Sequence, residues 1–363
     1  MAQKMNGLSR DLIIHPGETL QEILQDKEMS QKELAIRSGV TEKHVSTIIN
    51  GTKPISVAYA KKLEYALGID SSFWINLQAI YDKELLDFEE YNNISQSELS
   101  ILKTLKSIIE FLVSIGKINS EVNEDLKVLN LRKILGISNL TAIPNITYNA
   151  AYRAQVSTKA DVYVIFAWQK ICELLTEDII VENELDLNKL RNKLPDIKSL
   201  MFSDVNTIRK ELQKIFAECG IAFEIVKHFT GAPVQGFIKK TENCKIILCM
   251  TIRGGFADRF WFTLFHEIAH ILNDDVKQRF IDFDSVDGKI EETANKFSNN
   301  ILINSKKYES FVKKEDFTLD SINKFSEEQK VCNFIVIGRL QHDDLIPWKK
   351  YSSEKLKYKW VND

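Results

Sequence analysis

The sequence predicts a multidomain protein with an all-α head, an all-α middle segment and an α+β C-terminal domain. Its 363 residues are more than one hydrophobic core usually serves. Apolar residues recur with helical spacing through the first half of the chain, whereas three β-like runs follow Gly220. The hydrophobic fraction of 44% and the charged fraction of 27% exclude a disordered or fibrous chain.

Composition also limits the cellular context. No secretory signal opens the sequence, and no run of about 18 or more apolar residues occurs, so we expect a cytoplasmic protein with no membrane partner. The five cysteines are odd in number and lack Cys-x-x-Cys spacing, which favours reduced core thiols. The formal net charge of −3 argues against a general polyanion binder, although a local basic face remains compatible with it.

The head, residues 1–90, contains two short helices joined by a glycine turn. Ser30 and Glu33 form a capping box that opens the first helix, and Gly39 ends it. Thr41 can cap the second helix, whose apolar stripe consists of Val45, Ile48 and Ile49. This pattern is typical of a helix-turn-helix motif, whose second helix enters the major groove of DNA.

Three stretches of the head, "HPGE", "NGTKPIS" and "FWINLQAIYD", give it a more specific resemblance. Residues 14–85 resemble the HigA-type antitoxins of the Xre-like helix-turn-helix group. The resemblance implies that Gln31 meets phosphate, that Lys53 touches the DNA backbone, and that the base edges are faced by Lys43, His44, Ser46 and Thr47. For any one of these residues the alternative is an ordinary solvated helix face.

The charge of the head predicts modest affinity for DNA. Residues 1–69 contain 9 Lys and Arg against 8 Asp and Glu, a balance of +1, whereas DNA rewards the neutralisation of many phosphates. This favours a homodimer on a two-fold operator in double-stranded DNA, since two weak heads then act together. A head that binds protein instead of DNA is the alternative.

The middle segment, residues 91–203, is predicted to be helical and carries no recognisable chemistry. Ser95 and Glu98 form a capping box, and apolar residues continue with helical spacing until Gly116. The stretch "SNLTAIPNITYN", residues 138–149, is predicted to be a loop because proline and polar residues interrupt the pattern. We expect this segment to serve as a linker or scaffold.

The C-terminal domain, residues 204–363, contains the motif His-Glu-x-x-His within "WFTLFHEIAHILND". Residues four apart lie on one face of a helix, so His266 and His270 can direct both imidazoles at one point. Two neutral imidazoles with an adjacent glutamate are typical of a zinc site in which the histidines hold Zn²⁺ and Glu267 takes a proton from water. The alternative, two core histidines, would bury Glu267 beside them at a cost.

A catalytic zinc site needs a third protein ligand, and "GKIEETANKFSNNILI" offers one. Glu291 and Asn295 lie four residues apart on one side of the predicted helix. A carboxylate ligand and an amide that supports a histidine ring could therefore be delivered together. Glu292 or a water is the alternative ligand, although Glu292 is turned about 100° away on the helix.

"DRFWFTLFHEIAHIL", followed by "EETANKF", resembles the ImmA/IrrE family of metallopeptidases, and "VIGRLQHDDLI" is similar to the tail these proteins carry when fused to a DNA-binding domain. The resemblance covers residues 204–363. It implies a zincin-like fold and zinc-dependent cleavage of a regulatory protein, often a repressor, in stress or phage-related circuits.

Two functional hypotheses follow for the whole chain. The first is a DNA-binding regulator with a zinc endopeptidase domain that cleaves a protein partner or itself, with the "CKIILCMTI" strand offering an edge to an extended substrate. Arg259 and His342 are then the candidate donors to the oxyanion. The second is a non-enzymatic antitoxin and autorepressor that neutralises a small ribonuclease toxin, with the zinc domain as a structural or sensory module.

Overall fold

A computed structural model describes residues 9–148, 160–181, 184–241, 245–274 and 288–360 of the chain. The chain forms two compact units. The first comprises residues 1–99 with 121–129, and the second comprises residues 100–120 with 130–363. In the described ranges every helix is too short or too polar to cross a membrane.

The head consists of five helices: α1 (Pro16–Asp26), α2 (Gln31–Ser38), α3 (Glu42–Ile49), α4 (Val57–Leu67) and α5 (Ser71–Asn92). The caps predicted for the motif are confirmed. The Ser30 hydroxyl accepts a hydrogen bond from the Glu33 N–H at 3.1 Å, and Thr41 accepts one from the His44 N–H at 3.2 Å. Gly39 ends α2 at a φ of 61°, a left-handed conformation that favours glycine. The motif packs on a core centred on Trp74.

The middle of the chain is helical, as predicted, among the residues that the structure describes. Its helices are α6 (Gln96–Thr104), α7 (Lys106–Ser114), α8 (Glu124–Leu135), α9 (Ile143–Tyr148), α10 (Val162–Glu177) and α11 (Leu187–Ser199). The loop predicted over residues 138–149 is wrong for most of its length, because Leu140–Ala142 forms a 3-10 turn that leads into α9. Pro144 is the second residue of α9, where a missing N–H costs no helical hydrogen bond. Asn149 lies outside the described residues.

The C-terminal part has the predicted α+β composition. Its elements are α12 (Val205–Glu218), β1 (Ile221–Val226), β2 (Gly236–Lys240), β3 (Ile246–Thr251), α13 (Ala257–Leu272), α14 (Gly288–Leu302), α15 (Ser305–Val312), α16 (Leu319–Gln329) and α17 (Asn333–His342). One hydrophobic core, formed by residues from α11 onward, joins the sheet to α13 and α17. The first ligand-bearing helix of the predicted zinc site is therefore fixed on a packed scaffold.

The three strands form one sheet in the order β1-β3-β2. β3 runs parallel to β1 and antiparallel to β2, and all six residues of β3 are buried. The prediction that the "CKIILCMTI" strand offers an edge to a substrate is therefore wrong, because both sides of β3 are already hydrogen-bonded. Its continuous apolar run reflects this central position. β2 is an edge strand of the sheet.

Helix α10 packs on this sheet, although it lies in the segment predicted as a linker. The Trp168 indole N–H donates to the Lys227 carbonyl at 3.3 Å, and the Lys245 ammonium donates to the Thr176 carbonyl at 2.9 Å. This helix thus packs against the sheet and is more than a linker. The predicted domain limits at residues 90 and 203 stay predictions.

The cysteines of the described chain are free thiols, as expected. Cys172, Cys219 and Cys249 are buried and Cys332 is half-buried; Cys244 lies outside the described residues. Burial raises the pKa of the Cys172 thiol, and contact with Cys249 adds to the effect. The Cys172 thiol is therefore a poor nucleophile and a poor metal ligand.

Candidate metal centre and nucleic-acid interface

Helix α13 carries the His-Glu-x-x-His motif and is held at its N-terminus by a distant segment. Phe256 offers no side-chain cap, and the Ala257 N–H instead donates to the Leu356 carbonyl at 3.0 Å. One turn later the Trp261 indole donates to the Tyr358 hydroxyl at 3.0 Å. An almost wholly buried apolar face then anchors the helix in the core, which fixes the direction of its histidines.

The two motif histidines converge, as the four-residue spacing predicts. The Nε2 atoms of His266 and His270 are 3.0 Å apart, and the ring centroids are 4.7 Å apart. His270 is fully buried, whereas 13% of the His266 side chain is exposed. The pair therefore lies at the edge of the core, where one imidazole reaches solvent.

Glu291 of α14 completes the cluster. Its carboxylate oxygens lie 3.0 Å from His266 Nε2 and 3.5 Å from His270 Nε2. The three ligand atoms are all within 4.8 Å of one another. The rival ligand, Glu292, is exposed and pairs with Lys296 of its own helix at 2.5 Å. Of the two candidates, the structure places Glu291 in the cluster, as its side of the helix predicts.

Asn295 lies behind His266. Its Oδ1 atom is 3.0 Å from His266 Nδ1, so the amide oxygen can accept a hydrogen bond from that ring nitrogen. A proton held on Nδ1 leaves the Nε2 lone pair facing His270 and Glu291, which is the tautomer that a metal ligand requires. One turn of α14 separates Asn295 from Glu291, and the same helix therefore supplies both side chains.

Glu267 lies between the histidines in sequence and is buried. Its side chain packs against the backbone of β2 at Gly236, where an added Cβ would lie 2.5 Å from Glu267 Oε1 and 2.7 Å from its Cγ. Gly236 is therefore a site residue that the sequence reasoning missed. The signal was available only as a glycine at the start of a β-like run, which indicates close backbone approach without naming the partner.

The donor set fits a zinc ion. Two imidazole nitrogens and one carboxylate oxygen, brought together by two helices of one core, are the ligand types that Zn²⁺ takes in hydrolytic sites, where a fourth position stays open for water or substrate. The oxygen of Asn295 orients one of these ligands, as is usual for such sites. Metal binding itself stays a prediction.

The two candidate oxyanion donors share one cavity. Arg259 and His342 both line a cavity that extends from α13 towards α17. His342 is strongly exposed, and its Nδ1 lies 3.1 Å from Asp343 Oδ1. Neither side chain is among the three that form the cluster, and their role stays a prediction.

Other histidines have structural surroundings. His15 caps α1 by accepting a hydrogen bond from the Gly17 N–H at 2.9 Å, and burial lowers its pKa despite the nearby carboxylates of Glu18 and Asp82. His228 is half-buried, and burial followed by the charge of Arg253 lowers its pKa. Both are expected to be neutral at physiological pH.

The candidate DNA contacts lie on α2, α3 and the turn that follows α3. Lys43 and Lys53 are exposed, as a phosphate or base contact requires. The outward orientation predicted for the rest of the α3 set is only partly correct, because His44, Ser46 and Thr47 are half-buried. The His44 ring packs edge-on against Tyr59 at 5.0 Å, and the Thr47 hydroxyl donates to the His44 carbonyl at 2.8 Å.

Gln31 is half-buried at the first position of α2, where its backbone N–H is among those left free by the helix. The turn after α3 is held by the Thr47 carbonyl, which accepts hydrogen bonds from the Thr52 N–H at 2.9 Å and the Lys53 N–H at 3.1 Å. This turn fixes the position of Lys53 relative to α3.

Comparison with known proteins identifies the first part of the chain. A family model described as helix-turn-helix matches residues 20–74. These residues therefore form a helix-turn-helix domain, a class that binds DNA through the second helix of the motif. No curated protein matches the chain.

Two solved structures are also similar to this chain. One is described as an antidote protein of a plasmid maintenance system from Nostoc punctiforme; it is 31% identical, and the match covers 23% of this chain and 97% of that one, with a TM-score of 0.20. The other is an addiction module antidote protein of the HigA family from Coxiella burnetii. It is 31% identical over 27% of this chain and 90% of that one, with a TM-score of 0.19.

Proposed function

We propose that this protein is a DNA-binding regulator with a zinc-dependent endopeptidase domain, which cleaves a regulatory protein partner or itself in a stress, phage or toxin-antitoxin circuit. The observation that carries the peptidase is the convergence of His266, His270 and Glu291 beside the buried Glu267. If the two histidines were only core residues, His266 would need neither the Glu291 carboxylate 3.0 Å from its Nε2 atom nor the Asn295 amide beside its Nδ1 atom.

The residues of this site divide between holding a metal and moving a proton. His266, His270 and Glu291 would hold Zn²⁺, and Asn295 would keep His266 in the ligating tautomer. When bound, the ion would supply Lewis-acid polarisation of the scissile carbonyl and a more acidic water. Glu267 would take a proton from the attacking water and deliver it to the leaving amine.

The edge strand β2 supports binding of an extended peptide beside this site. Gly236 lies against Glu267, so the start of β2 is close to the proposed general base. An unpaired strand edge can add one more strand through main-chain hydrogen bonds. In this proposal β2 takes the role that the sequence assigned to β3.

Substitution of Glu267 and of the histidines separates proton transfer from metal binding. Glu267→Gln should retain about one Zn²⁺ per chain and lose cleavage, because the amide cannot accept the proton. His266→Ala and His270→Ala should each lose most of the metal. Metal analysis of the purified proteins, with a comparison of cellular proteins that accumulate in the Glu267→Gln strain, measures both effects. Near-stoichiometric metal in the double histidine variant would disprove the ligand assignment.

On the DNA side, we propose that two chains bind a two-fold operator as a homodimer. The balance of +1 over residues 1–69 supports paired heads, since one such head neutralises few phosphates. Sedimentation of the protein with an operator duplex measures the stoichiometry. One chain per operator at saturation would contradict the dimer.

The antitoxin function is a second candidate, favoured by apolar side chains that the head exposes. Ile36, Val57 and Tyr65 are 73%, 68% and 75% exposed, which suits a protein partner better than DNA. In this case the head would bind a cognate toxin, and the Glu267→Gln protein would protect cells as well as the wild type. If a toxin-sized reading frame lies beside the gene, co-expression of its product with the wild type and with Glu267→Gln tests this function, and cell growth that depends on Glu267 would contradict it.

A further inference from the structure

A cavity lies beside the histidine–glutamate cluster and has a volume of about 310 Å³, at the small end of the range for ligand pockets. Phe262 lines it from α13, four residues before His266, and the two ring centroids are 6.3 Å apart. Asn299 lines it from α14, four residues after Asn295. The cavity therefore begins about one helical turn, roughly 5.4 Å, before His266 on α13, and about two turns after Glu291 on α14.

The cavity walls favour an apolar side chain over a basic one. The apolar part of the lining consists of Phe262, Leu302, Ile303, Ile335 and Trp348. Two charged residues of the lining already have counter-charges. The Lys355 ammonium lies 2.6 Å from Asp258 Oδ2, and Arg339 Nε lies 2.7 Å from Asp343 Oδ2. A basic side chain entering this space would therefore lose water without gaining a free carboxylate among these lining residues. Arg259 also lines the cavity and is the cation that an acidic side chain could meet.

Arg259 stands apart from these pairs. It is exposed, and its guanidinium carbon lies 5.6 Å from the centroid of the Phe256 ring. Within the described part of the chain no carboxylate forms an ion pair with it. Arg259 is seven residues before His266 on α13, which corresponds to about 10 Å along the helix axis. An extended peptide covers that distance in about three residues.

We propose that the cavity binds a large apolar side chain of the protein substrate beside the scissile bond, and that Arg259 binds an acidic side chain about three residues further along. This inference rests on the proposed peptidase function. It defines the substrate class as proteins with an exposed segment in which a bulky apolar residue and an acidic residue have this spacing.

Binding of hydroxamates to the zinc-loaded protein tests the cavity without any cleavage. One series places an isobutyl or a methyl side chain on one side of the chelating group, and a second series places it on the other side. In the series that directs the side chain into the cavity, the isobutyl compound should bind at least about tenfold more tightly than the methyl compound, because three more carbons are buried. Binding of the methyl compound reports the metal site, whereas the ratio reports the cavity.

Filling and opening the cavity should both reduce that ratio. Asn299→Trp projects an indole into the space, and Trp348→Ala removes a wall that lies in an exposed segment after α17. Each substitution should reduce the ratio of isobutyl to methyl affinity severalfold, or bring it close to one. Metal content and binding of the methyl compound should not change. Lys296→Trp is the matched control, because it places the same side chain on an exposed position of α14 outside the cavity.

The role of Arg259 is measured with isobutyl hydroxamates extended by three residues that end in glutamate or glutamine. The glutamate probe should bind about two- to fivefold more tightly at low salt, as an exposed ion pair allows, and Arg259→Met should abolish the difference. Equal affinity for the isobutyl and methyl compounds in both series would disprove binding of an apolar side chain in the cavity. So would an affinity ratio that Asn299→Trp leaves unchanged. Equal binding of the two extended probes would overturn the role of Arg259. Failure of all hydroxamates to bind the zinc-loaded protein would overturn the peptidase as well.

Discussion

Position 236 needs a glycine because Glu267 leaves no room for a Cβ there, and not because of its backbone conformation. A Cβ at this position would meet both Oε1 and Cγ of Glu267 at less than 3.0 Å, and both groups belong to packed elements. Even alanine would therefore push the carboxylate away from the cluster or shift the start of β2. Because Glu267 holds no metal in our proposal, such a shift should affect proton transfer more than metal binding.

We therefore expect Gly236→Ala to lower the rate of substrate cleavage by at least about tenfold, the cost of roughly 1.4 kcal/mol in the barrier, while zinc content stays near that of the wild type. Gly288→Ala is the matched control, since a Cβ there meets no atom within 4 Å. Metal analysis and cleavage assays on both variants measure the effect. Wild-type cleavage by Gly236→Ala would show that Glu267 does not need its present position.

Among the elements, α14 depends on a single lysine at its C-terminus. The Lys198 ammonium of α11 donates to the carbonyls of Ile301 and Leu302 at 2.8 and 2.9 Å, and to that of Gln329 at 3.0 Å. Helix C-termini leave such carbonyls without partners, and a cation there is favourable. The lysine thus joins α11, α14 and α16 behind the helix that carries Glu291.

Lys198→Met should reduce the free energy of unfolding by about 1–3 kcal/mol at pH 7, because it leaves buried carbonyls without a donor. The same variant should also change the pH dependence. Burial, with the nearby charge of Lys330, lowers the pKa of Lys198 to about 8 from 10.5. Between these values the unfolded chain binds more protons, so this residue makes stability rise with pH. Denaturant unfolding at pH 7.5, 9 and 10.5 measures the difference, and parallel profiles for both proteins would contradict it.

Substitutions in α3 and in the turn after it are expected to distinguish sequence-specific from general DNA binding. Lys43→Ala together with Thr47→Ala should weaken binding to the operator more than binding to random DNA, if these residues face base edges as the resemblance to HigA-type antitoxins implies. Lys53→Ala should weaken both equally and reduce the salt dependence, since a backbone contact carries no sequence information. Binding curves at several salt concentrations distinguish the two. A head with no preference among DNA sequences, even at low salt, would support a protein partner.

Some structural features could be predicted from the sequence and others could not. The caps at Ser30 and Thr41 and the convergence of His266 with His270 follow from local spacing, because each depends on a single helix. The approach of Glu291 was expected for a different reason, since a catalytic zinc site needs a third protein ligand. The sheet order was not accessible in this way. The run that became β3 is apolar throughout, which is equally typical of a central strand and of an edge that binds a partner, so only the pairing itself could exclude the edge.

Long-range contacts account for the remaining differences. Gly236 meets Glu267 across 31 positions of the sequence, and no spacing rule connects a glycine in one strand to a glutamate in a later helix. The wrong loop prediction at Pro144 has a local cause, since a proline is compatible both with a loop and with the first turn of a helix. His44 likewise lies on the polar side of α3, yet the ring of Tyr59 partly covers it.

For the whole molecule, zinc should stabilise the unit that holds the cluster and leave the head unchanged. A ligand that binds only the folded state stabilises it by about 2.7 kcal/mol at a free concentration of one hundred times its Kd. We therefore expect zinc to raise the melting temperature of one transition by several degrees, and chelation to reverse this. Calorimetry of the wild type measures the shift, and His270→Ala should lack it. A shift that persists in that variant would indicate a metal site elsewhere.

The attachment of α13 to residues 356–358 has a consequence for synthesis. The ribosome makes these residues only after α13, α14 and the following helices, at about 5–20 residues per second. Until they emerge, the Ala257 N–H lacks the Leu356 carbonyl and Trp261 lacks the Tyr358 hydroxyl. A nascent chain would therefore spend several seconds without these two hydrogen bonds at the start of the motif helix. If this domain is a peptidase, as we propose, it would mature only after the whole helix-turn-helix head had been synthesised.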